Sequence, residues 1–264
     1  MASPCAAFCT TTSPTRGRTI APRSSCATIR ITSHHQQDSI LMQLILFDID
    51  GTLLHPHGVG RESTRRAMLE IFGTTGNLAT HQFGGKTDWL TLMELLTEAG
   101  YDERAIGDLM PAYEKAVARH LREIADDFPI EACVYALDVV AQIRQRDDLM
   151  MGLVTGNVSS TAPIKLQAAG YDPAWFTVGA YGSEAPDRNR LPALALQRAI
   201  AFAQRDIHPA DVIIVGDTPA DVQCARALGA RAIAVATGFA SRETLQHAKP
   251  DALLPDLSPL LRIL

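Results

Sequence analysis

The chain has 264 residues, a formal net charge of -5, 47% apolar residues and 20% charged ones. That is enough for one large domain or two modest ones with a real core. The acidic balance excludes a general nucleic-acid binder, because no cluster of Lys and Arg gathers to neutralise a phosphate backbone. No apolar run approaches the roughly 20 residues a membrane helix needs.

Residues 1–41 stand apart. They are rich in Ser, Thr, Ala, Pro and Arg, Asp38 is their only acid, and they show no sustained period of 2 or 3.6. A disordered tail is expected. It is either an artefactual start ahead of Met42 or a transit peptide, whose composition is poor in acids. The first reading places the protein in the cytoplasm, the second in a plastid or mitochondrion. Three of the five cysteines (Cys5, Cys9, Cys26) fall here, while Cys133 and Cys224 fall in segments that read as packed. No pair has zinc-ligand spacing, and the odd count argues for a reducing compartment over a disulfide framework.

Gln43–Asp48 is an apolar run ending in acid, as a buried parallel strand should be. From about Arg61 to Ile130 the pattern turns helical. Trp89, Leu92, Met93, Leu96 and Ala99 fall at helical spacing, as do Met110, Tyr113, Val117, Leu121 and Ile124. Alternation then resumes, with helices predicted over Ala136–Gln145, Ala162–Ala169, Pro192–Gln204 and Ala220–Leu228, the last closed by Gly229. Strands are predicted over Leu149–Thr155, Phe176–Ala180, Val212–Asp217 and Ala232–Ala236. This predicts an α/β fold, a Rossmann-like parallel sheet with helices on both faces. The core is expected over 42–57 and 131–264, with an inserted α-helical cap domain over 58–130.

Sites in such sheets lie at the carboxyl ends of strands, and three predicted strands end in Asp48, Thr155 and Asp217. In Asp48-Ile49-Asp50-Gly51-Thr52, two carboxylates one residue apart can face one spot. Asp48 can attack a phosphorus, and Asp50 can protonate the leaving oxygen and later deprotonate a water. Paired acids also make a hard oxygen site for Mg²⁺. In Thr155-Gly156-Asn157, a hydroxyl and exposed N–H groups can bind phosphate, though the same tripeptide makes a common turn. In Gly216-Asp217-Thr218-Pro219-Ala220-Asp221, Asp217 can complete the metal site. Asp221 can support it or cap the helix that Pro219 opens. Phosphoryl transfer also wants a fixed cation, and the candidates are Arg188 and Arg190 in Asp187-Arg188-Asn189-Arg190-Leu191-Pro192, with Arg188 preferred.

These segments resemble three of the four motifs of the haloacid dehalogenase (HAD) superfamily, in the right order and each ending an apolar strand. The resemblance runs from Gln43 to the C-terminus, and the helical insertion looks like the C1-type cap of phosphoglycolate-phosphatase-like members. It implies a Mg²⁺-dependent phosphatase of small phosphorylated metabolites working through an aspartyl-phosphate. Asp48 would be the nucleophile, Asp50 the acid/base, Thr155 the phosphate ligand and Asp217 a metal ligand. Asp48 would also hold the metal, and Asp50 would bind it through its backbone carbonyl. The chain departs from the family in having Arg where a Lys is usual.

An acid at Asp50 argues against dehalogenation and against a phosphonoacetaldehyde hydrolase. A phosphomutase of the beta-phosphoglucomutase type is the alternative. A partner-binding, non-catalytic relative would be expected to lose one of Asp48, Asp50 and Asp217, and all three are present. The partner implied is a small-molecule substrate, with neither nucleic acid nor membrane, for a monomer or homodimer. Gly84-Gly85-Lys86-Thr87-Asp88 resembles the cap loop that drops over the substrate. There Gly85, Lys86 and Thr87 would set specificity; the other reading is an exposed helix turn capped by Thr87. His55-Pro56-His57 reads as a solvated flap between core and cap rather than a metal site.

Overall fold

The computed structural model describes residues 42–264. The tail 1–41, with its readings as leader or artefactual start, lies outside the described residues. Strand β1 (Gln43–Phe47) is followed by a two-residue strand β2 (Leu54–His55) and three helices, α1 (Val59–Phe72), α2 (Asp88–Leu96) and α3 (Glu103–Ile124). Strand β3 (Glu131–Ala132) closes back on β2 in antiparallel pairing, so the three helices are inserted across a hairpin. The chain then alternates: α4 (Ala136–Ile143), β4 (Leu149–Val154), α5 (Ala162–Ala168), β5 (Val178–Ala180), α6 (Leu191–Ala203), β6 (Val212–Gly216), α7 (Pro219–Leu228), β7 (Arg231–Val235), α8 (Arg242–His247) and β8 (Ala252–Leu254). The six long-range strands form one parallel sheet in the order β5-β4-β1-β6-β7-β8.

Side chains of β1 alternate between two cores, as the period of a strand requires. Ile45 and Phe47 pack with α4 and α5 on one face. Leu44 and Leu46 pack with α6 and α7 on the other. All four are fully buried. At about 1.5–3 kcal/mol for each such side chain, this one strand anchors both layers. A third core belongs to the inserted helices: Met68 and Phe72, Leu92 and Leu96, Met110 and Tyr113 pack together, joined by Val158 from the sheet domain.

The predicted strand over Phe176–Ala180 begins two residues late, at Val178, because Pro173–Trp175 makes a helical turn capped by the Asp172 side chain. Strand β8, helix α8 and the β2–β3 hairpin carry too few residues to show a period, and sequence reading missed them. Among the described residues, no helix is long and apolar enough to cross a membrane.

Candidate active site

Strands β4, β1 and β6 are neighbours, and their register sets the site. Phe47 lies level with Leu153 on one side and Val215 on the other. Asp48, Thr155 and Asp217 therefore leave the sheet side by side at its carboxyl edge. Asp48 stays in line because its N–H donates to the Val215 carbonyl at 2.9 Å.

Asp48, Asp217 and Asp221 offer carboxylate oxygens that all lie within 4.8 Å of one another, and all three residues are buried. Burial pushes Asp48 up to about 6, against the pull of the Arg188 guanidinium. Burial, with Asp221 and Asp48 nearby, lifts Asp217 well above the usual carboxylate range. Such crowding of hard oxygens suits a divalent cation, whose charge would offset the repulsion. Asp217 reaches this place because Gly51 and Gly238 both lack a side chain. Gly51 has φ +87°, and a Cβ there would lie 2.4 Å from an Asp217 oxygen. Asp217 accepts hydrogen bonds from the Phe239 N–H at 2.7 Å and the Thr52 hydroxyl at 3.3 Å.

Asp221 belongs to both readings made of it. It closes a capping box at the start of α7, accepting from the Thr218 N–H at 3.0 Å and its hydroxyl at 2.7 Å. It also takes Arg188 Nη2 at 2.6 Å. The same nitrogen stands 3.1 Å from Asp48 Oδ1. Arg188 is buried, whereas Arg190, two residues on in the same helical turn, is exposed. One nitrogen of the guanidinium thus bridges the two carboxylates, and the buried Nε has no partner.

The Asp50 carboxylate stands apart from the acidic trio. Its Oδ2 accepts from Lys165 Nζ at 2.7 Å and Asn157 Nδ2 at 2.9 Å, and its buried Oδ1 has no partner. Lys165 was missed by sequence reading. Its signal was present: Ala162, Lys165, Leu166 and Ala169 share one helix face, and a lone Lys on an apolar stripe is out of place. The Thr155 hydroxyl accepts from Asn157 Nδ2 at 2.8 Å and from the Asn157 N–H at 3.3 Å.

The cap loop is bonded directly onto this floor. The Asp88 N–H donates to the Gly156 carbonyl at 2.8 Å, and the Trp89 N–H to Gly182 at 3.1 Å. Gly156 permits this approach, since a Cβ there would sit 2.0 Å from the Lys86 carbonyl oxygen. The Thr87 hydroxyl caps α2 by accepting from the Leu90 N–H at 3.0 Å, and donates to the Pro186 carbonyl at 2.9 Å. Asp88 accepts from the Val158 N–H at 3.0 Å, and burial pushes its carboxyl up to about 6 against Lys165. Deeper in the cap, Glu114 accepts from the Ser159 N–H and from the Ser159 and Ser183 hydroxyls. None of these cap acids was singled out from sequence.

Lys86 is ion-paired with Glu94 on the cap itself. The flap histidines face protein groups: His55 lies 3.5 Å from the Cys133 sulfur and His57 3.9 Å from Glu131. Floor and cap enclose a cavity of about 550 Å³ lined by Asp48, Asp50, Thr155, Lys165, Arg188 and Lys86 among others.

A family model described as HAD-hydrolase-like matches residues 192–260. A phosphoglycolate phosphatase from Synechococcus elongatus is 28% identical over 84% of this chain and 96% of its own length. The pyrophosphatase PpaX from Bacillus cereus is 26% identical over 83% and 95%. The fold matches that of a hydrolase from Pseudomonas syringae at a TM-score of 0.61 and 20% identity, covering 84% of this chain and 98% of that one. Motif order, sheet order and relatives agree: the chain is similar to the haloacid dehalogenase-like hydrolases in sequence and shares their fold.

Proposed function

We propose that this protein is a Mg²⁺-dependent phosphatase of a small phosphorylated metabolite, working through an aspartyl-phosphate on Asp48. The observation that carries this reading is the pairing of Asp48, in its buried acid trio with Arg188, with the unpartnered Asp50 Oδ1 in one cavity.

Asp48 attacks the phosphorus, an Asp48 O–P bond forms, and the ester P–O bond breaks. Protonated Asp50 gives its proton to the departing oxygen. Asp50, now a carboxylate, takes a proton from a water whose oxygen attacks the same phosphorus. The Asp48 O–P bond breaks, inorganic phosphate leaves, and both acids return to their starting states. Arg188 holds Asp48 in line and faces the charge on the transferring group. Thr155 and the N–H groups of its loop receive a phosphate oxygen. Asp48, Asp217 and Asp221 would hold Mg²⁺, which supplies the positive charge that lets two anions meet.

The relatives are named for phosphoglycolate and pyrophosphate, and each pairs a phosphoryl group with a second small anion. A cavity of about 550 Å³ suits molecules of that size. Phosphate release should be measured across a panel of such metabolites and p-nitrophenyl phosphate, with Mg²⁺ and with chelator. Release that needs Mg²⁺ is expected. No release on any substrate sinks the reading, and turnover that requires a bisphosphate activator would turn it into a phosphomutase.

A further inference from the structure

We infer that Lys165 is a positioning residue that fixes the Asn157 amide and, through it, aims both the Thr155 proton and the free oxygen of Asp50 at the substrate. The inference rests on the phosphatase reading above.

The argument is a count of donors and acceptors. Lys165 is 4% exposed, and its ammonium can only donate. Its Nζ lies 2.6 Å from Asn157 Oδ1 and 2.7 Å from Asp50 Oδ2. The ammonium therefore compels the amide oxygen of Asn157 to face it, and the amide nitrogen must face the other way. That nitrogen has two hydrogens and two acceptors in reach: Asp50 Oδ2 at 2.9 Å and Thr155 Oγ1 at 2.8 Å. Thr155 Oγ1 also accepts from the Asn157 N–H at 3.3 Å. Both lone pairs of that hydroxyl are thus engaged from within, and its single proton is left to donate outward.

Asp50 is sorted by the same network. Its Oδ2 takes two donors, which leaves the buried Oδ1 bare. Both residues line the cavity, and the bare oxygen and the spare proton are the two polar groups of this network with no partner inside the protein. With an apolar group at 165 the Asn157 amide loses its reason to hold either orientation. Flipped, it would set a carbonyl against both Asp50 and Thr155. The Thr155 proton would then turn inward, and Asp50 would rotate.

The test compares wild type, Lys165→Met, Asn157→Ala and the double variant. kcat/KM is measured with Mg²⁺ on an alkyl phosphate and on p-nitrophenyl phosphate. An alkoxide needs the Asp50 proton to leave, whereas p-nitrophenolate does not. Lys165→Met should therefore lose about 10²-fold or more on the alkyl ester and about tenfold on the aryl ester. Asn157→Ala should match it, and the double variant should lose no more than the worse single, because one network is being broken twice. Equal losses on both esters, or single losses that multiply, overturn the inference.

Titration calorimetry with inorganic phosphate gives a readout free of turnover. Both single variants should weaken phosphate by about the same factor, on the order of tenfold, as expected for one lost hydrogen bond to a charged group. Unchanged phosphate affinity in Lys165→Met also overturns it. Should that variant fail to fold by circular dichroism, Lys165→Ala, which likewise cannot donate, carries the same comparison with Asn157→Ala. A wild type silent on every ester defeats the phosphatase reading, while the phosphate titration still decides the role of Lys165.

Discussion

The floor and the roof of the cavity are built differently. On the floor, Asp48, Thr155, Lys165, Arg188 and Asp217 are all buried, and all but Thr155 take partners from segments far apart in the chain. On the roof, Lys86 and Glu94 are part-exposed and satisfy each other within the cap. The roof meets the floor through backbone N–H groups of Asp88 and Trp89 and the Thr87 hydroxyl, and these bonds do not depend on which side chain stands at position 86. In the phosphatase proposed above, the charge assigned to chemistry is held by segments from across the fold, and the charge assigned to substrate selection is held within the cap. One can change without the other.

Substitutions on the floor should break activity most. Asp48→Asn should cost on the order of 10⁴-fold or more in kcat, as loss of a nucleophile does. It should not lower the Tm, since it removes one of three crowded carboxylates. Activity above about a hundredth of wild type would deny Asp48 its role. Arg188→Ala should cost about 10²–10³-fold in kcat, and here stability should fall too, because Asp48 and Asp221 are left buried without their cation. Phosphate-release kinetics and thermal unfolding on the same samples separate the two effects.

The floor should also govern how stability depends on pH and metal. Asp48 and Asp88 sit near 6, against an ordinary 3.8, and Asp217 is raised as well. A carboxyl whose folded value is raised binds more protons folded than unfolded between the two values. Its contribution is therefore most favourable below about pH 4 and is lost as pH rises through about 6. The Tm of the metal-free protein should fall between pH 5 and 7, and Asp88→Asn should flatten part of that fall. Mg²⁺ would be held only by the deprotonated acids, so it should raise the Tm more at pH 7.5 than at pH 5. A Tm indifferent to Mg²⁺ at pH 7.5 would count against the trio as a metal site.

The same contrast explains what sequence could say. Strand-end acids are legible because a buried parallel strand is a continuous apolar run, and Asp48, Thr155 and Asp217 each interrupt one. Register then brings them together without further information. The choice between Arg188 and Arg190 was legible only as a preference for Arg188, because it depends on how one helical turn rotates after Asp187. Lys165 was legible only as an anomaly on an apolar face. The cap contacts of Asp88 and Glu114 were not legible at all, since they depend on how the inserted helices meet the loops that follow β4 and β5.

The smallest effect tests the roof. Lys86 cannot serve a substrate anion without leaving Glu94, and an exposed pair of this kind is worth about 0–1 kcal/mol. Its release is therefore cheap, and its effect on binding is small. Glu94→Gln frees the ammonium and should lower KM up to about fivefold for a substrate bearing a second anion, by that same free energy. It should leave KM for p-nitrophenyl phosphate unchanged, because that ester offers Lys86 nothing to bind. Lys86→Ala should raise KM for the substrate with a second anionic group and leave kcat within about twofold, the signature of uniform binding rather than transition-state contact. A loss confined to kcat would place Lys86 among the floor residues and erase the division between chemistry below and selection above.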